Sequence, residues 1–473
     1  MTSSDIFKPV LDRALAHSLN HFALAEGRPV ATTASLQELR QRFTRPLPEA
    51  GTDPEQIVDD LARDAEGGLI GSTGGRFFGW VIGGTLPAAL AADWLTSAWD
   101  QNAVIHACGP AEAVIEEVTG AWLKELFGLP QSASFAFVTG TQTAHVTCLA
   151  AARHRVLKQA GWDVEEDGLA GAPPIRVITS SERHGSVDRA VRLLGFGKRS
   201  IIGLPCNQAG QLEPAELEQV LKQDSGRPTI VVLQAGDLNI GAFDPFADLI
   251  PIARRHGAWV HVDGAFGLWV AVSPRHRHRL RGVELANSWT NDGHKWLNTP
   301  FDCGYAFIAD PEAHRGAFSH RASYTQFVGD ARDQSDWTPD WSRRGRALPT
   351  YAALRQLGRG GIAELVDRCC THAHALVTRI GSLPGAQIMW EPTINQGLVR
   401  FLDPRPGATD QDHDRRTDDT IKRIVATGEA FFGGTTWRGK RCMRVSVCNW
   451  QTNESDVERT VAAARRVLGN VSP

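Results

Sequence analysis

The sequence predicts an α/β protein with a mostly parallel central sheet covered by helices, followed by a smaller α+β domain. Between about residues 130 and 290, short β-branched segments alternate with segments of helical apolar spacing, which is typical of βα units. Polar loops follow several of the predicted strands, at 140–143, 234–239 and 263–267. Beyond residue 349, strands and helices are mixed without regular alternation. These three observations predict the fold class.

The composition of the 473-residue chain is that of an ordinary globular protein larger than one domain. A net charge of −3 gives no reason to expect nucleic acid or an acidic membrane as a partner. The N-terminus lacks a signal pattern, and no apolar run reaches the roughly 18 residues that a membrane span needs. The eight cysteines lack metal-type spacing, so we expect reduced thiols, no metal site and a cytoplasmic location.

The first part of the chain is predicted to be helical, with a break at Pro46, Pro48 and Gly51. The stretch 85–99 is apolar on most faces, so we expect it to be a buried helix. The predicted helices are 5–25, 35–43, 54–65, 85–99 and 111–126.

Strands and helices then alternate, which predicts parallel strands with helices on both faces. In such sheets ligands bind at the carboxyl ends of the strands, where the polar loops lie. The predicted strands are 135–139, 175–180, 200–204, 229–234, 259–263 and 288–290, with helices at 143–160, 186–194, 213–221 and 248–255.

The last third of the chain is predicted to contain a long loop and the smaller domain. Residues 318–347 are polar and are expected to form a surface loop. The predicted helices are 351–357, 362–380, 417–427 and 455–468, with strands at 387–390, 398–401 and 442–447.

Lys295 and Asp263 are the residues that indicate chemistry most strongly. A lysine, unlike an arginine, can offer a neutral amine to an aldehyde cofactor, and pyridoxal 5′-phosphate (PLP) is the obvious candidate. Asp263 ends a strand that we expect to be buried, where a carboxylate needs a partner such as the PLP ring nitrogen. The alternatives are a surface lysine at a strand end and an aspartate that caps a turn.

Three further features fit the same cofactor. Gly140, Thr141, Gln142 and Thr143 precede a helix and offer donors for a phosphate, although strand–Gly–Thr–helix turns are common. His184 could stack on the pyridine ring, or it could be an ordinary hydrogen-bonded loop histidine. The small Ala265 would let a ring lie flat.

These segments, in this order, resemble the group II PLP-dependent decarboxylases of fold type I, which act on aromatic amino acids, glutamate, histidine and related substrates. The resemblance covers roughly residues 70–470. The motifs that carry it are Arg76-Phe-Phe-Gly79, Gly109-Pro-Ala111, the turn and helix at 139–155, His184-Gly-Ser186, Asn239-Ile-Gly-Ala-Phe-Asp-Pro245, His261-Val-Asp263, His294-Lys-Trp296, Phe301-Asp-Cys303, Ser342-Arg-Arg344 and Met443-Arg-Val-Ser446.

The resemblance implies a role for each site residue. Lys295 is the Schiff-base lysine, Asp263 the partner of the ring nitrogen and His184 the stacking histidine near the substrate. The implied cofactor contacts also include Ala265, Gln234 near the ring hydroxyl, and Thr141, Gln142, Thr143 and His294 at the phosphate. The family is an obligate homodimer with interface active sites, which implies a dimerisation segment at 1–75, a PLP-binding domain at 76–345 and a small domain at 346–473.

Four departures from the family pattern stand out. Gln234 stands where the family usually has Thr, and Asn291-Asp-Gly-His294 replaces Asn-Pro-His. The stretch from Trp80 to Gly83 lacks the usual proline; by family position, Trp80, Ile82 and His106 line the substrate pocket. The aromatic decarboxylases carry a proton-donating loop tyrosine. Here Tyr324 sits too early for it, and Trp337 is the only aromatic residue between 328 and 340.

The leading hypothesis is an L-amino-acid decarboxylase that works through the Lys295 Schiff base and a quinonoid intermediate, with His184 or a loop residue of the partner as acid. The alternatives on this scaffold are a carbon–carbon lyase or aldolase, an oxygen-dependent aldehyde-forming decarboxylase and an aminotransferase. Arg444 matches the position at which aminotransferases grip the α-carboxylate, unless it forms a structural ion pair. A non-enzymatic PLP-fold subunit is the third hypothesis.

Overall fold

A computed structural model describes residues 3–320 and 331–469. Its centre is a seven-stranded sheet of order β1-β7-β6-β5-β4-β2-β3. Only β7 runs antiparallel to its neighbours, β1 and β6; the other pairs are parallel, so the predicted mostly parallel sheet is confirmed. The strands are β1 Ser134–Val138, β2 Arg176–Ser180, β3 Ile201–Leu204, β4 Thr229–Gln234, β5 Trp259–Asp263, β6 Ser288–Asp292 and β7 Gly304–Ile308.

The middle strands are buried along their whole length because helices cover both faces of the sheet. In β4, for example, all six residues of Thr229–Gln234 are buried, and five of them are apolar or β-branched. The helices of this part are α5 Pro110–Phe127, α6 Thr141–Gln159, α7 Val164–Asp167, α8 Gly185–Leu193, α9 Pro214–Lys222, α10 Phe246–Arg255 and α11 Pro311–Phe318.

The N-terminal helices lie largely on the surface of the single chain. They are α1 Ser3–Leu24, α2 Leu36–Phe43, α3 Pro54–Ala65 and α4 Pro87–Trp99. The prediction that the stretch 85–99 is a buried helix is wrong, since only two of the α4 residues are buried and Trp94, Leu95 and Trp99 are exposed. Apolar composition therefore marks a surface that the single chain leaves open.

The C-terminal part has a four-stranded antiparallel sheet of order β10-β11-β9-β8. The long helix α12 has a non-helical residue at Gly358 (φ 62°), which agrees with the two helices predicted on either side of it. The elements of the C-terminal part are α12 Ala347–Gly381, β8 Ala386–Trp390, β9 Gln396–Phe401, α13 Asp410–Ala426, β10 Gly433–Trp437, β11 Lys440–Ser446 and α14 Glu454–Gly469.

The prediction of a surface loop at 318–347 is wrong for residues 333–336, whereas several positions from 339 to 344 are exposed. Asp333, Gln334, Ser335 and Asp336 are buried. Arg332 lies over the Phe135 ring and pairs with buried Glu116 at 3.1 Å, which fixes this polar segment against the core. Tyr324 lies outside the described residues. None of the helices in the described ranges combines the length and hydropathy that a membrane crossing requires.

Candidate active site

Three acidic or amide side chains end neighbouring strands at one edge of the central sheet. Gln234 ends β4, Asp263 ends β5 and Asp292 ends β6, and all three are buried. Because these strands are parallel, their carboxyl ends meet at the same edge, as expected for a ligand site in an α/β sheet. The loops that follow β1 and β2 add Thr141 and His184 to the same edge.

Lys295 lies in the turn just after β6 and is half-buried. Its Nζ is 3.0 Å from Oδ2 of Asp292, three residues earlier. The neighbouring His294 stacks on Phe301, with ring centroids 4.3 Å apart. Burial raises the pKa of Asp292, but the Lys295 charge and nearby groups outweigh it and hold that pKa below its ordinary value. The amine is therefore paired with a carboxylate inside the protein.

Asp263 remains a carboxylate although it is buried. Burial raises its pKa, but His145, His184 and Lys295 together hold the pKa of Asp263 below its ordinary value. Its Oδ2 lies 3.4 Å from Nε2 of His145, and its Oδ1 accepts the backbone N–H of Ala265 at 3.2 Å. A charged carboxylate at this place can hold a proton on a cationic ring nitrogen.

His184 is the N-cap of α8, where its Nδ1 accepts the backbone N–H of Ser186 at 3.1 Å. Desolvation lowers its pKa, and the nearby Lys295 charge lowers it further, while Asp263 opposes the shift. The imidazole is therefore neutral at neutral pH. The charges of Asp263 and Lys295 both act on His184, which brings the three predicted catalytic residues into one site.

The start of α6 is the place where the sequence predicts a phosphate site. The backbone N–H of Thr141 donates to Oδ1 of Asp292 at 2.6 Å, and the Thr141 hydroxyl has no hydrogen-bond partner among the described residues. Gln142 donates to the Ser186 carbonyl at 3.4 Å, and the Thr143 hydroxyl bonds Thr139 at 2.7 Å. Helix N-termini with free donors bind phosphate well.

The donors at this site fit PLP. Thr141 Oγ1, His294 Nδ1 and Gln234 Nε2 are buried polar atoms that lack a hydrogen-bond partner within residues 3–320 and 331–469. Buried polar groups are usually satisfied, so a cluster of unsatisfied donors indicates a missing polar ligand. Together with the Lys295 amine and the Asp263 carboxylate, they match a phosphate, an aldehyde and a ring nitrogen.

The predicted substrate residues do not all lie together. Trp80 adopts a positive φ of 48°, is exposed, and packs against Phe77 and Phe431. Ile82 adjoins Gly83, whose backbone N–H donates to the His294 carbonyl at 3.0 Å, so this segment borders the site. The backbone N–H of His106 instead donates to Oδ1 of Asp333 at 2.9 Å, and no described contact joins His106 to Lys295.

The sequence interpretation missed two residues of the site. Asp292 was noted only as a departure in Asn291-Asp-Gly-His294, although an acid two residues before His-Lys could have suggested an ion pair. His145 gave no signal, because only the packing of α6 against β5 brings it to Asp263. Arg444, predicted either to grip a carboxylate or to form an ion pair, donates to the Leu238 carbonyl at 2.8 Å and pairs with no carboxylate in the described chain.

Comparison with known proteins decides the family. A sequence model of the pyridoxal-dependent decarboxylase conserved domain matches residues 37–402, most of the chain. The chain therefore belongs to the pyridoxal-dependent decarboxylase family. It is a PLP-dependent amino acid decarboxylase, and the predicted fold class and cofactor are confirmed.

Relatives cover nearly the whole length of this decarboxylase. It is 25% identical over 462 residues to an aromatic-L-amino-acid decarboxylase of Bacillus atrophaeus, covering 96% of this chain and 94% of the relative. It is 28% identical over 429 residues to an L-2,4-diaminobutyrate decarboxylase of Rhizobium meliloti (strain 1021), covering 88% and 83%. The structure of Oryza sativa TDC with PLP and tryptamine shares the fold, with a TM-score of 0.92, 23% identity and coverage of 99% and 98%.

Proposed function

We propose that this decarboxylase acts on an L-amino acid with Lys295 as the residue that holds the aldehyde of PLP. The observation that carries the proposal is the convergence of an amine, a carboxylate and a neutral imidazole from three separate elements. Lys295 follows β6, Asp263 ends β5 and His184 caps α8. Each of the three affects the charge state of at least one other.

Each of these residues has a separate role in the reaction. When bound, the pyridine ring of PLP withdraws electrons from the substrate carbon that loses carbon dioxide. Asp263 holds a proton at the ring nitrogen, because a buried carboxylate with a lowered pKa stays charged and attracts a cation. Thr141, Gln142 and His294 bind the phosphate, and Ala265 leaves room for the ring.

His184 is the candidate for returning a proton to the substrate carbon. Its lowered pKa leaves it neutral at rest, so it gains a proton before it acts as an acid. Residues 331–340 contain no tyrosine. The Gln334 side chain is buried, and an amide cannot serve as an acid. Trp337 is partly buried and packs on His314 at the edge of the core.

We also propose that the enzyme is a homodimer in which segment 1–75 wraps the partner. The apolar side chains Phe7, Leu11, Leu15 and Phe22 repeat at helical spacing along α1 and are exposed in the single chain. A second copy would cover this row and the exposed face of α4. We assign His106 to the neighbouring site of such a dimer, and we propose a cytoplasmic enzyme without nucleic-acid partners.

An apolar wall favours an aromatic or aliphatic substrate. The segment that contains Ile82 borders the site through Gly83. Two of the relatives are named for aromatic amino acids or tryptophan, whereas others are named for acidic amino acids and L-2,4-diaminobutyrate. An aminotransferase would need an arginine free to hold the substrate carboxylate. Arg444 uses one of its N–H groups for the Leu238 carbonyl, and it is the match to the decarboxylase family, not this contact, that favours decarboxylation over transamination.

Reductive trapping tests the assignment of Lys295. Borohydride should fix PLP as a pyridoxyl group on one lysine, and peptide mass analysis should find it on Lys295. Modification of any other lysine, or of none, would contradict the proposal. Adding L-amino acids before the reductant should decrease labelling, because the substrate amine displaces Lys295 from the aldehyde.

A further inference from the structure

A chain of polar side chains runs through the apolar core from Trp259 to Asp263. The indole N–H of Trp259 donates to Ser288 Oγ at 3.0 Å, and Ser288 Oγ lies 2.8 Å from Nδ1 of His261. Nε2 of His261 lies 2.9 Å from Nδ1 of His145, and Nε2 of His145 lies 3.4 Å from Oδ2 of Asp263. Both histidines have no exposed surface.

The ring nitrogens that carry a proton in His261 and His145 can be worked out from their hydrogen-bond partners. Burial and the nearby His145 hold the pKa of His261 well below its ordinary value, so His261 is neutral and carries one N–H. If that N–H lies on Nε2, it donates to His145 Nδ1, and the proton of a neutral His145 lies on Nε2. If it lies on Nδ1, it donates to Ser288, and His145 donates from Nδ1 to His261.

The second arrangement also requires a proton on Nε2 of His145. Without one, a ring-nitrogen lone pair would face the Asp263 carboxylate in the core, which is repulsive and leaves both groups unsatisfied. His145 is then an imidazolium paired with Asp263. Both allowed arrangements therefore place an N–H of His145 3.4 Å from the carboxylate, a contact longer than a formed hydrogen bond.

We propose that His145, supported by His261, is a positioning residue that fixes the charge and orientation of Asp263 toward the cofactor ring nitrogen. This inference rests on the proposed role of Asp263. His145 lies four residues after Thr141 on α6, one helical turn below the phosphate cradle. One rigid helix thereby sets the distance between the phosphate site and the carboxylate that meets the ring.

The test uses holoenzyme reconstituted with PLP labelled with ¹⁵N in the ring. In wild-type protein the ¹⁵N chemical shift should be that of a protonated pyridine nitrogen. His145→Leu removes both ring nitrogens, so the shift should move toward the unprotonated value and the PLP dissociation constant should rise by roughly tenfold. His145→Gln keeps an amide N–H in reach of Asp263 and should retain most of the wild-type shift.

His314→Leu is the matched control, because His314 is also fully buried and hydrogen-bonded but lies outside this chain. It should leave the ring ¹⁵N shift unchanged. A wild-type shift and PLP affinity in His145→Leu would overturn the inference while leaving the proposed function intact. If wild-type protein bound no PLP, the proposed function would fail and the inference with it.

A second measurement reads the protonation of His145 in unsubstituted holoenzyme and uses a variant only to assign the resonances. In protein labelled with ¹⁵N only at histidine, the resonances of His145 are those lost in His145→Gln. They should show a protonated Nε2. An unprotonated Nε2 at neutral pH would overturn the inference.

Discussion

The amine of Lys295 lies 3.0 Å from the carboxylate of Asp292, which ends β6 three residues earlier. The other Asp292 oxygen accepts the backbone N–H of Thr141 at 2.6 Å. One carboxylate therefore connects the lysine to the helix end that we assign to the phosphate. A dianionic phosphate bound there competes with the Asp292 carboxylate for the backbone N–H of Thr141.

Asp292→Asn should strengthen binding of PLP. The amide removes a negative charge a few ångströms from the phosphate cradle, and a like charge at that distance weakens binding by roughly three- to tenfold. Equilibrium dialysis of PLP would measure the change. Asp419→Asn, which removes an exposed charge on α13, should leave the affinity unchanged. Weaker PLP binding by Asp292→Asn would show that the carboxylate supports the cofactor instead.

Lys295→Ala should abolish turnover while the fold persists. The variant lacks the amine that holds the aldehyde, so we expect less than roughly one thousandth of the wild-type rate. Steady-state decarboxylation and far-ultraviolet circular dichroism would measure the two properties. Lys422→Ala, at an exposed position on α13, should retain wild-type activity. Substantial activity in Lys295→Ala would exclude Lys295 as the essential amine.

His314 should make the protein less stable as the pH falls. It is buried in α11, and burial lowers its pKa to about 3 from an ordinary value of 6.5. Between these values the unfolded chain binds a proton that the folded chain does not, so the free energy of unfolding falls as pH decreases. From pH 6.5 to 5 this amounts to about 2 kcal/mol.

Urea unfolding of wild type and His314→Leu would measure this effect. At pH 7 the variant should be less stable, because it loses the hydrogen bonds to Ser134 and the Trp337 carbonyl. At pH 5 the difference should shrink by about 2 kcal/mol, since only the wild type carries the protonation penalty. A difference that stays constant with pH would show that His314 is not held neutral.

Leu15→Glu should weaken the proposed dimer. A charge in the exposed apolar row of α1 would have to be buried in the interface, which is costly without a partner. Sedimentation velocity should show wild-type particles of two 51.5 kDa chains and a concentration-dependent shift toward single chains in the variant. Leu193→Glu, at an exposed position near the end of α8, should stay dimeric. A monomeric wild type would contradict the dimer.

The fold could be predicted largely because strand and helix periods alternate clearly, and the helix Pro54–Ala65 is found at its predicted bounds. Two strands were missed. Gly304–Ile308 is a short apolar run without the alternation of apolar and polar residues that marks a strand. Gly433–Trp437 is rich in Gly and Thr, which also suit turns. The exposure of α4 could not be predicted, because apolar residues in a sequence do not show whether the same chain or another one covers them.

The site could be predicted where the chemistry requires an unusual residue type at a strand end, as at Asp263 and Lys295. It could not be predicted where long-range packing creates the contact. His145 lies 118 positions before Asp263 in the sequence, and only the sheet and α6 bring them together. Arg332 lies in a stretch that the sequence predicts to be a surface loop, yet its pairing with Glu116 holds the buried residues 333–336 in place.

The most direct test of the central claim is a paired measurement of carbon dioxide release and oxygen uptake, with product analysis, across a panel of L-amino acids. We predict that at least one aromatic or aliphatic amino acid yields carbon dioxide and the corresponding amine in equal amounts, with no oxygen consumed. Oxygen uptake with an aldehyde product, or an α-keto acid without carbon dioxide, would contradict simple decarboxylation at the Lys295 site.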